Sequence, residues 1–297
     1  MHISVLLEES IKYLNLKENS VVADCTLGYA GHSSNILRII KKGHLYAFDQ
    51  DEEAIKSADE KLKQIGDNYT IFHTNFVNLD KCIDEVDGIL FDLGVSSPQL
   101  DEEERGFSFH KDAKLDMRMN QNQELSAYEV INEYPYEKLK EIIQNYGEEK
   151  YAASIAKGII KKRNIKTTLE LAEIIKENVP EKYRNQGHPA RKTFQAIRIE
   201  VNNELDVFEK ALRKALTKIK INGRICVITF HSLEDKICKK IFKEVSELPK
   251  ELKNMPEVPE AYLPKYKIIA NIAPTEEEIK NNKRARSARL RVIERIR

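Results

Sequence analysis

Apolar and polar positions along the first hundred residues alternate between two periods. The short runs "VVADC" (21–25), "HLYAFD" (44–49), "YTIFH" (69–73) and "VDGILFDLG" (86–94) have the length and content of buried strands. The segments between them carry a helical period. "GHSSNILRIIK" (31–41) sets Ile36, Ile39 and Ile40 on one face, with Ser33 or Ser34 expected as its cap. "DEEAIKSADEKLKQI" (51–65) spaces Ala54, Ala58 and Leu62 by four. Strand and helix in turn predict an α/β fold, a Rossmann-like doubly wound parallel sheet.

From about 104 to 198 the pattern holds no convincing strand. "SAYEVINEY", "YEKLKEIIQNYG", "YAASIAKGIIKKR" and "TLELAEIIKENV" all read as helices. After Asn202 the alternation returns. "ELDVFEKALRKALTKI" puts Leu205, Phe208, Leu212 and Leu216 on one face, and "GRICVITF" (223–230), "KYKIIANI" (265–272) and "RLRVIERI" (289–296) read as strands. The expected organisation is a discontinuous sheet domain, 1–103 with 199–297, interrupted by a helical insert, 104–198. "LPKELKNMPEVPEAYLPK" (248–265) has four prolines and reads as a long exposed loop.

Composition narrows the class. The chain is 41% hydrophobic and 33% charged, with net charge +1, as in a soluble globular protein. No apolar run approaches the roughly 20 residues of a membrane helix, and "MHISVLLEES" lacks a signal-peptide pattern. Cys25, Cys82, Cys226 and Cys238 form no CxxC pair, so they read as reduced thiols of a cytoplasmic protein, and no metal is expected. The charge is unevenly placed. Residues 283–297 carry seven basic side chains and one acid, 157–166 five and none, 182–192 four and none. Three such clusters suit a polyanion, with Lys161, Lys162, Arg163, Arg191, Lys192, Arg284 and Arg286 as candidate nucleic-acid contacts.

The chemistry concentrates at predicted strand ends. "DCTLGYAGHS" (24–33) has the strand, glycine turn and helix of a nucleotide-binding loop, but GxxG (Gly28, Gly31) rather than GxGxxG. A carboxylate at Asp24 would repel a pyrophosphate. A phosphate-free ligand with an amino-acid tail, such as S-adenosylmethionine, fits better. Asp49 ends the second strand, where an acid accepts ribose hydroxyls; Asp51 competes but falls beyond the strand. "DLGVSSPQL" (92–100) places Asp92, Ser96, Ser97 and Pro98 where acceptors could hold an exocyclic amine in line with a methyl group. His231 in "FHSLEDK" (230–236) is a candidate general base or RNA contact.

These stretches, with "LDMRM" (115–119), "HPARKTFQAIRIEVNNEL" (188–205), the opening "HISVLLEE" and the closing "RARSARLRVIER", resemble the bacterial family of small-subunit (16S) ribosomal RNA cytosine-N(4) methyltransferases across nearly the whole chain. The resemblance implies a Rossmann-like methyltransferase sheet with an inserted helical RNA-recognition domain. It implies methylation of a cytosine in the decoding centre of 16S rRNA within the small ribosomal subunit. It also implies donor contacts at Ala30, Gly31, His32, Asp49, Phe76, Asp92 and Gln99. One departure stands out: the family usually has Gly-Gly-His where this chain has Ala30-Gly31-His32, so a methyl group stands beside the expected donor tail. A homodimer is compatible with this reading. The residues alone leave open an amine methyltransferase acting on DNA or a small molecule, and a non-catalytic ribosome-assembly factor that binds RNA.

Overall fold

The computed structural model describes residues 4–95, 103–185, 187–249, 252, 255 and 257–297. The chain divides into two compact units, Met1–Gly94 with Leu205–Arg297, and Val95–Glu204.

The first unit is built on a seven-stranded sheet of order β3-β2-β1-β4-β5-β7-β6. Its strands are β1 (Val21–Asp24), β2 (His44–Asp49), β3 (Tyr69–His73), β4 (Val86–Asp92), β5 (Ile219–Thr229), β6 (Tyr266–Ile272) and β7 (Arg289–Arg295). The first five run parallel; β7 is antiparallel to both β5 and β6. Successive side chains alternate between the two faces, and both faces are covered. Ile89 and Phe91 of β4, with Ile225 and Val227 of β5, pack into one core with Phe208, Leu212, Ile241 and Phe242. Leu90, Cys226 and Ile228 pack into the other with Leu14, Ile36, Ile40 and Leu62. Burial on both sides explains why these strands read as continuous apolar runs.

The flanking helices are α1 (Leu7–Leu14), α2 (Gly31–Ile39), α3 (Glu52–Leu62) and the short α4 (Leu79–Cys82). The second unit is helical: α5 (Ala127–Glu133), α6 (Tyr136–Asn145), α7 (Ala152–Lys161), α8 (Thr168–Glu177), α9 (Glu181–Arg184) and α10 (Ala190–Asn202). The only pairing between extended residues described there is a bridge of Lys114 with Thr167. Phe194, Ile197 and Val201 of α10 join the core of this unit, which carries its boundary beyond residue 198. The chain then continues through α11 (Glu204–Lys218), α12 (Ser232–Ser246) and α13 (Glu276–Asn281). The sequence pattern predicts no helix at α1, α4, α9, α12 or α13.

Two local expectations change. Neither Ser33 nor Ser34 caps α2; both are buried within it, and Ala30 takes the cap position in the left-handed region (φ 57°, ψ 35°) with no capping side chain. All four cysteines are free, and Cys25, Cys226 and Cys238 are buried.

Candidate functional site

Strands β1 and β4 are neighbours, and the connections from them lead to opposite sides of the sheet. This is the switch point where open α/β sheets bind ligands, beyond the carboxyl ends of the strands. Four predicted residues lie along that edge: Asp24 ends β1, Asp49 ends β2, Phe76 follows β3 and Asp92 ends β4.

The loop after β1 is tied down by its backbone. Cys25 N–H donates to the Leu90 carbonyl (2.9 Å) and Leu27 N–H to that of Phe48 (3.0 Å). Gly28, at φ 48°, donates its N–H to Asp49 Oδ2 (2.8 Å). Asp49 Oδ1 accepts from Asp51 N–H (2.9 Å). Asp49 is thus oriented by two backbone donors and remains partly exposed. Burial pushes its carboxyl up to about 6; the hydrogen bonds from Asp51 and Gly28 oppose the rise and the Asp51 charge adds to it. Asp51, the competing acid, caps α3 by accepting from Glu53 N–H (3.2 Å).

Asp24 is buried and well satisfied. It accepts from Ser33 Oγ (2.6 Å), Thr26 N–H (3.1 Å) and Thr26 Oγ1 (3.4 Å). Burial still raises its carboxyl above the usual range, against the hydrogen bonds from Ser33 and Thr26. Thr26 Oγ1 also accepts from Asp92 N–H (2.7 Å), stitching the ends of β1 and β4 together. The Asp92 carboxyl is different. Oδ2 lies 3.4 Å from His32 Nδ1, while Oδ1 is enclosed and has no partner among the described residues. Burial, then the charges of Asp24 and Glu234, hold this carboxyl well above its ordinary value.

His32 is buried, with Nε2 3.2 Å from the Val5 carbonyl. The N-terminal segment therefore reaches the loop. A Cβ on Gly31 would come within 1.8 Å of Ser4 Oγ, so a side chain there would force the Ser4 hydroxyl to turn aside. Phe76 is half-buried, its ring 5.7 Å from Phe91 in an edge-on arrangement (84°). Ser96, Ser97, Pro98 and Gln99 lie outside the described residues.

His231 is the N-cap of α12. Its side chain accepts from Glu234 N–H, and the Glu234 carboxylate accepts from Phe230 N–H (2.8 Å) and His231 N–H (3.3 Å), a reciprocal capping box. Thr26, Val5 and Glu234 shape the site without any signal in the sequence, and Ser33, expected as a helix cap, instead holds Asp24.

The predicted RNA-contacting cations have varied surroundings. Lys161, Arg191, Arg284 and Arg286 are exposed. Lys162 pairs with Glu177 (2.5 Å) and Lys192 Nζ donates to the Glu148 carbonyl (2.9 Å). Arg163 is committed inside the helical unit, where it donates to the carbonyls of Tyr134 and Ile131. The same unit holds a cavity of about 650 Å³ lined by Phe109, His188, Lys176, Arg184 and others. Phe109 stacks on His188 there, centroids 4.3 Å apart and 22° between planes.

The chain is similar to several known proteins. It is 50% identical to "Ribosomal RNA small subunit methyltransferase H" of Exiguobacterium sibiricum over 306 aligned positions, 99% of this chain and 98% of that one. Among solved structures it is similar to an rRNA methylase from Streptococcus thermophilus (TM-score 0.48, 12% identity, all of both chains) and to TrmN from Thermus thermophilus (TM-score 0.45, 12% identity, 98% of this chain and 48% of that one). The sequence profile of the MraW methylase family matches residues 1–296, and on that end-to-end match the chain belongs to this family.

Proposed function

We propose that this methylase transfers the methyl group of S-adenosylmethionine to the exocyclic amine of one cytosine in the decoding centre of 16S rRNA, in the small ribosomal subunit of the cytoplasm. The observation that carries the reading is the 50% identity, end to end, with a protein named as a small-subunit rRNA methyltransferase. The site's chemistry supports the donor. Three carboxyls, Asp24, Asp49 and Asp92, end the adjacent strands β1, β2 and β4 around the switch point, which suits a cationic ligand and repels a pyrophosphate. The unpartnered Asp92 Oδ1 leaves an acceptor in place for a ligand or substrate donor.

In this reading Asp49 accepts the ribose hydroxyls, and the N–H groups of Gly31 and His32, at the start of α2, face the amino-acid tail. Ala30 is tolerated there because its methyl is buried in the core beside the sheet. The donor, when bound, supplies an electrophilic methyl on a sulfonium. Asp92 and the Ser96-Ser97-Pro98 segment hold the target amine in line with it. A paired cytosine hides its amine, so the base must be unpaired or flipped out. The helical unit reads the RNA. Its exposed Lys161 and Arg191 meet phosphates, and the Phe109–His188 stack beside Lys176 and Arg184 suits an unpaired base. Arg284 and Arg286 add phosphate contacts.

Asp49→Ala tests the donor site. Losing a charged hydrogen-bond acceptor should weaken donor binding by about 10- to 150-fold in calorimetry. In the wild type, affinity should rise as pH climbs through about 6, because the ionised carboxylate is the better acceptor and the neutral acid gives up one lone-pair site to its proton. Unchanged affinity in a folded Asp49→Ala protein refutes the assignment.

A further inference from the structure

We propose that Thr26 is a positioning residue for the methyl transfer: its hydroxyl replaces the rung that β1 and β4 lose where the sheet opens, and so aims the Asp92 carboxyl. The proposal rests on the methyltransferase reading above, in which Asp92 helps to hold the target amine.

The ladder shows where the rung is lost. β1 and β4 run parallel, with Val22, Ala23 and Asp24 beside Gly88, Ile89 and Leu90. Cys25 N–H adds one more regular bond, to the Leu90 carbonyl (2.9 Å). In an unbroken parallel pair the next bond would run from Asp92 N–H to the Cys25 carbonyl. The chain after Cys25 instead crosses toward β2, where Leu27 N–H donates to the Phe48 carbonyl (3.0 Å). Asp92 N–H donates to Thr26 Oγ1 (2.7 Å). A side chain thus takes the place of a backbone acceptor at the point where the two strands part. On the opposite side, Leu93 N–H donates to the Ile228 carbonyl of β5 (3.0 Å). The end of β4 is pinned between these two bonds, and the direction of the Asp92 carboxyl is pinned with it.

Thr26 is held in turn. Its N–H donates to Asp24 Oδ1 (3.1 Å), a turn led by an acid, and its hydroxyl lies 3.4 Å from the same oxygen. A hydroxyl has one proton and two lone pairs, so Thr26 accepts from Asp92 N–H while its own proton points to Asp24. Ser33 Oγ donates to the other Asp24 oxygen (2.6 Å) and fixes that carboxyl. The buried Asp24 thereby sets the direction of the Thr26 hydroxyl. Asp49 is oriented separately, by the N–H groups of Gly28 and Asp51. Donor binding and alignment of the amine therefore rest on different hydrogen bonds.

Thr26→Val keeps the shape of the side chain and removes the acceptor; Thr26→Ser keeps the hydroxyl. Unmodified small ribosomal subunits with methyl-labelled S-adenosylmethionine give single-turnover rates, and calorimetry gives the affinity for S-adenosylhomocysteine. Thr26→Val should slow transfer by about 10- to 100-fold, because a displaced carboxyl no longer aligns the amine. Affinity for S-adenosylhomocysteine should stay within about 3-fold, since Asp49 shares no donor with Thr26. Thr26→Ser should recover most of the rate. On an Asp92→Asn background the valine change should cost little more, because both act through one group. Thr26→Ala carries the same test where the valine variant does not fold. A wild-type rate in folded Thr26→Val enzyme overturns the proposal. So does an equal loss in Thr26→Ser, a fall in affinity that matches the fall in rate, or a fully additive loss with Asp92→Asn. A wild-type enzyme that binds no S-adenosylhomocysteine overturns the donor assignment itself, and this proposal with it.

Discussion

Ala30 carries the clearest local strain near the site. An L-residue at φ 57°, ψ 35° sets its Cβ close to the following carbonyl, at roughly 1–2 kcal/mol. The helix position demands it: Ala30 N–H donates to the Leu27 carbonyl (2.9 Å) and its own carbonyl accepts from Ser34 N–H (3.0 Å), closing the turn and opening α2 together. Ala30→Gly should relieve the strain, offset by the greater freedom of glycine in the unfolded chain. The expected net gain is about 0.5–1 kcal/mol, or about 1–4 °C in Tm. A lower Tm would mean that packing of the buried methyl outweighs the strain. At this scale the sequence was partly readable. Asp49 stands out because an acid ends an apolar run, and the family's usual glycine marks position 30 as unusual. The meeting of His32 with Asp92 is not readable, since sixty residues separate them and only the β1–β4 pairing brings them together.

Element by element, the central strands β1, β4 and β5 were legible because burial on both faces leaves uninterrupted apolar runs. Helices whose starts lack the usual signals were not. The residue before α1, Leu6, adopts a left-handed conformation with no capping side chain. α12 begins at a histidine rather than the Ser, Thr, Asp or Asn that commonly marks a helix start, although Ile237, Cys238, Ile241 and Phe242 repeat at helical spacing. The cap also separates two roles for His231. His231→Ala should cost about 0.5–2 kcal/mol of stability through the lost cap and leave the single-turnover rate of the folded enzyme within a few-fold of wild type. A loss of about 10²-fold or more in rate, at temperatures where the variant is folded, would make His231 a participant in the chemistry. Arg163 carries a similar lesson. A run of Lys-Lys-Arg reads as one basic cluster, but this guanidinium is spent on the carbonyls at the end of α5 and the turn beyond it. Lys161 and Arg191 are the better phosphate candidates.

The whole molecule, with a net charge of +1, has no overall pull toward a polyanion. RNA binding would rest on local clusters, with a strong dependence on salt. The break in pattern near residue 100 already separated sheet from helical insert. Its edges were less legible, because α10 is an amphipathic helix whose apolar face could have packed on either unit and in fact joins the helical core. No described helix is long and apolar enough to cross a membrane. The central claim is base-specific methylation of small-subunit RNA, and one measurement bears on it directly. Small ribosomal subunits from cells lacking this enzyme are incubated with the protein and methyl-labelled S-adenosylmethionine, beside large subunits, double-stranded DNA and free cytidine, and the labelled nucleotide is mapped. The account predicts label on the exocyclic amine of a single cytosine in the decoding centre of 16S rRNA and background levels elsewhere. Label on DNA or free nucleoside at comparable rates, on a different base of the RNA, or on no substrate by a protein that binds the donor, would contradict it.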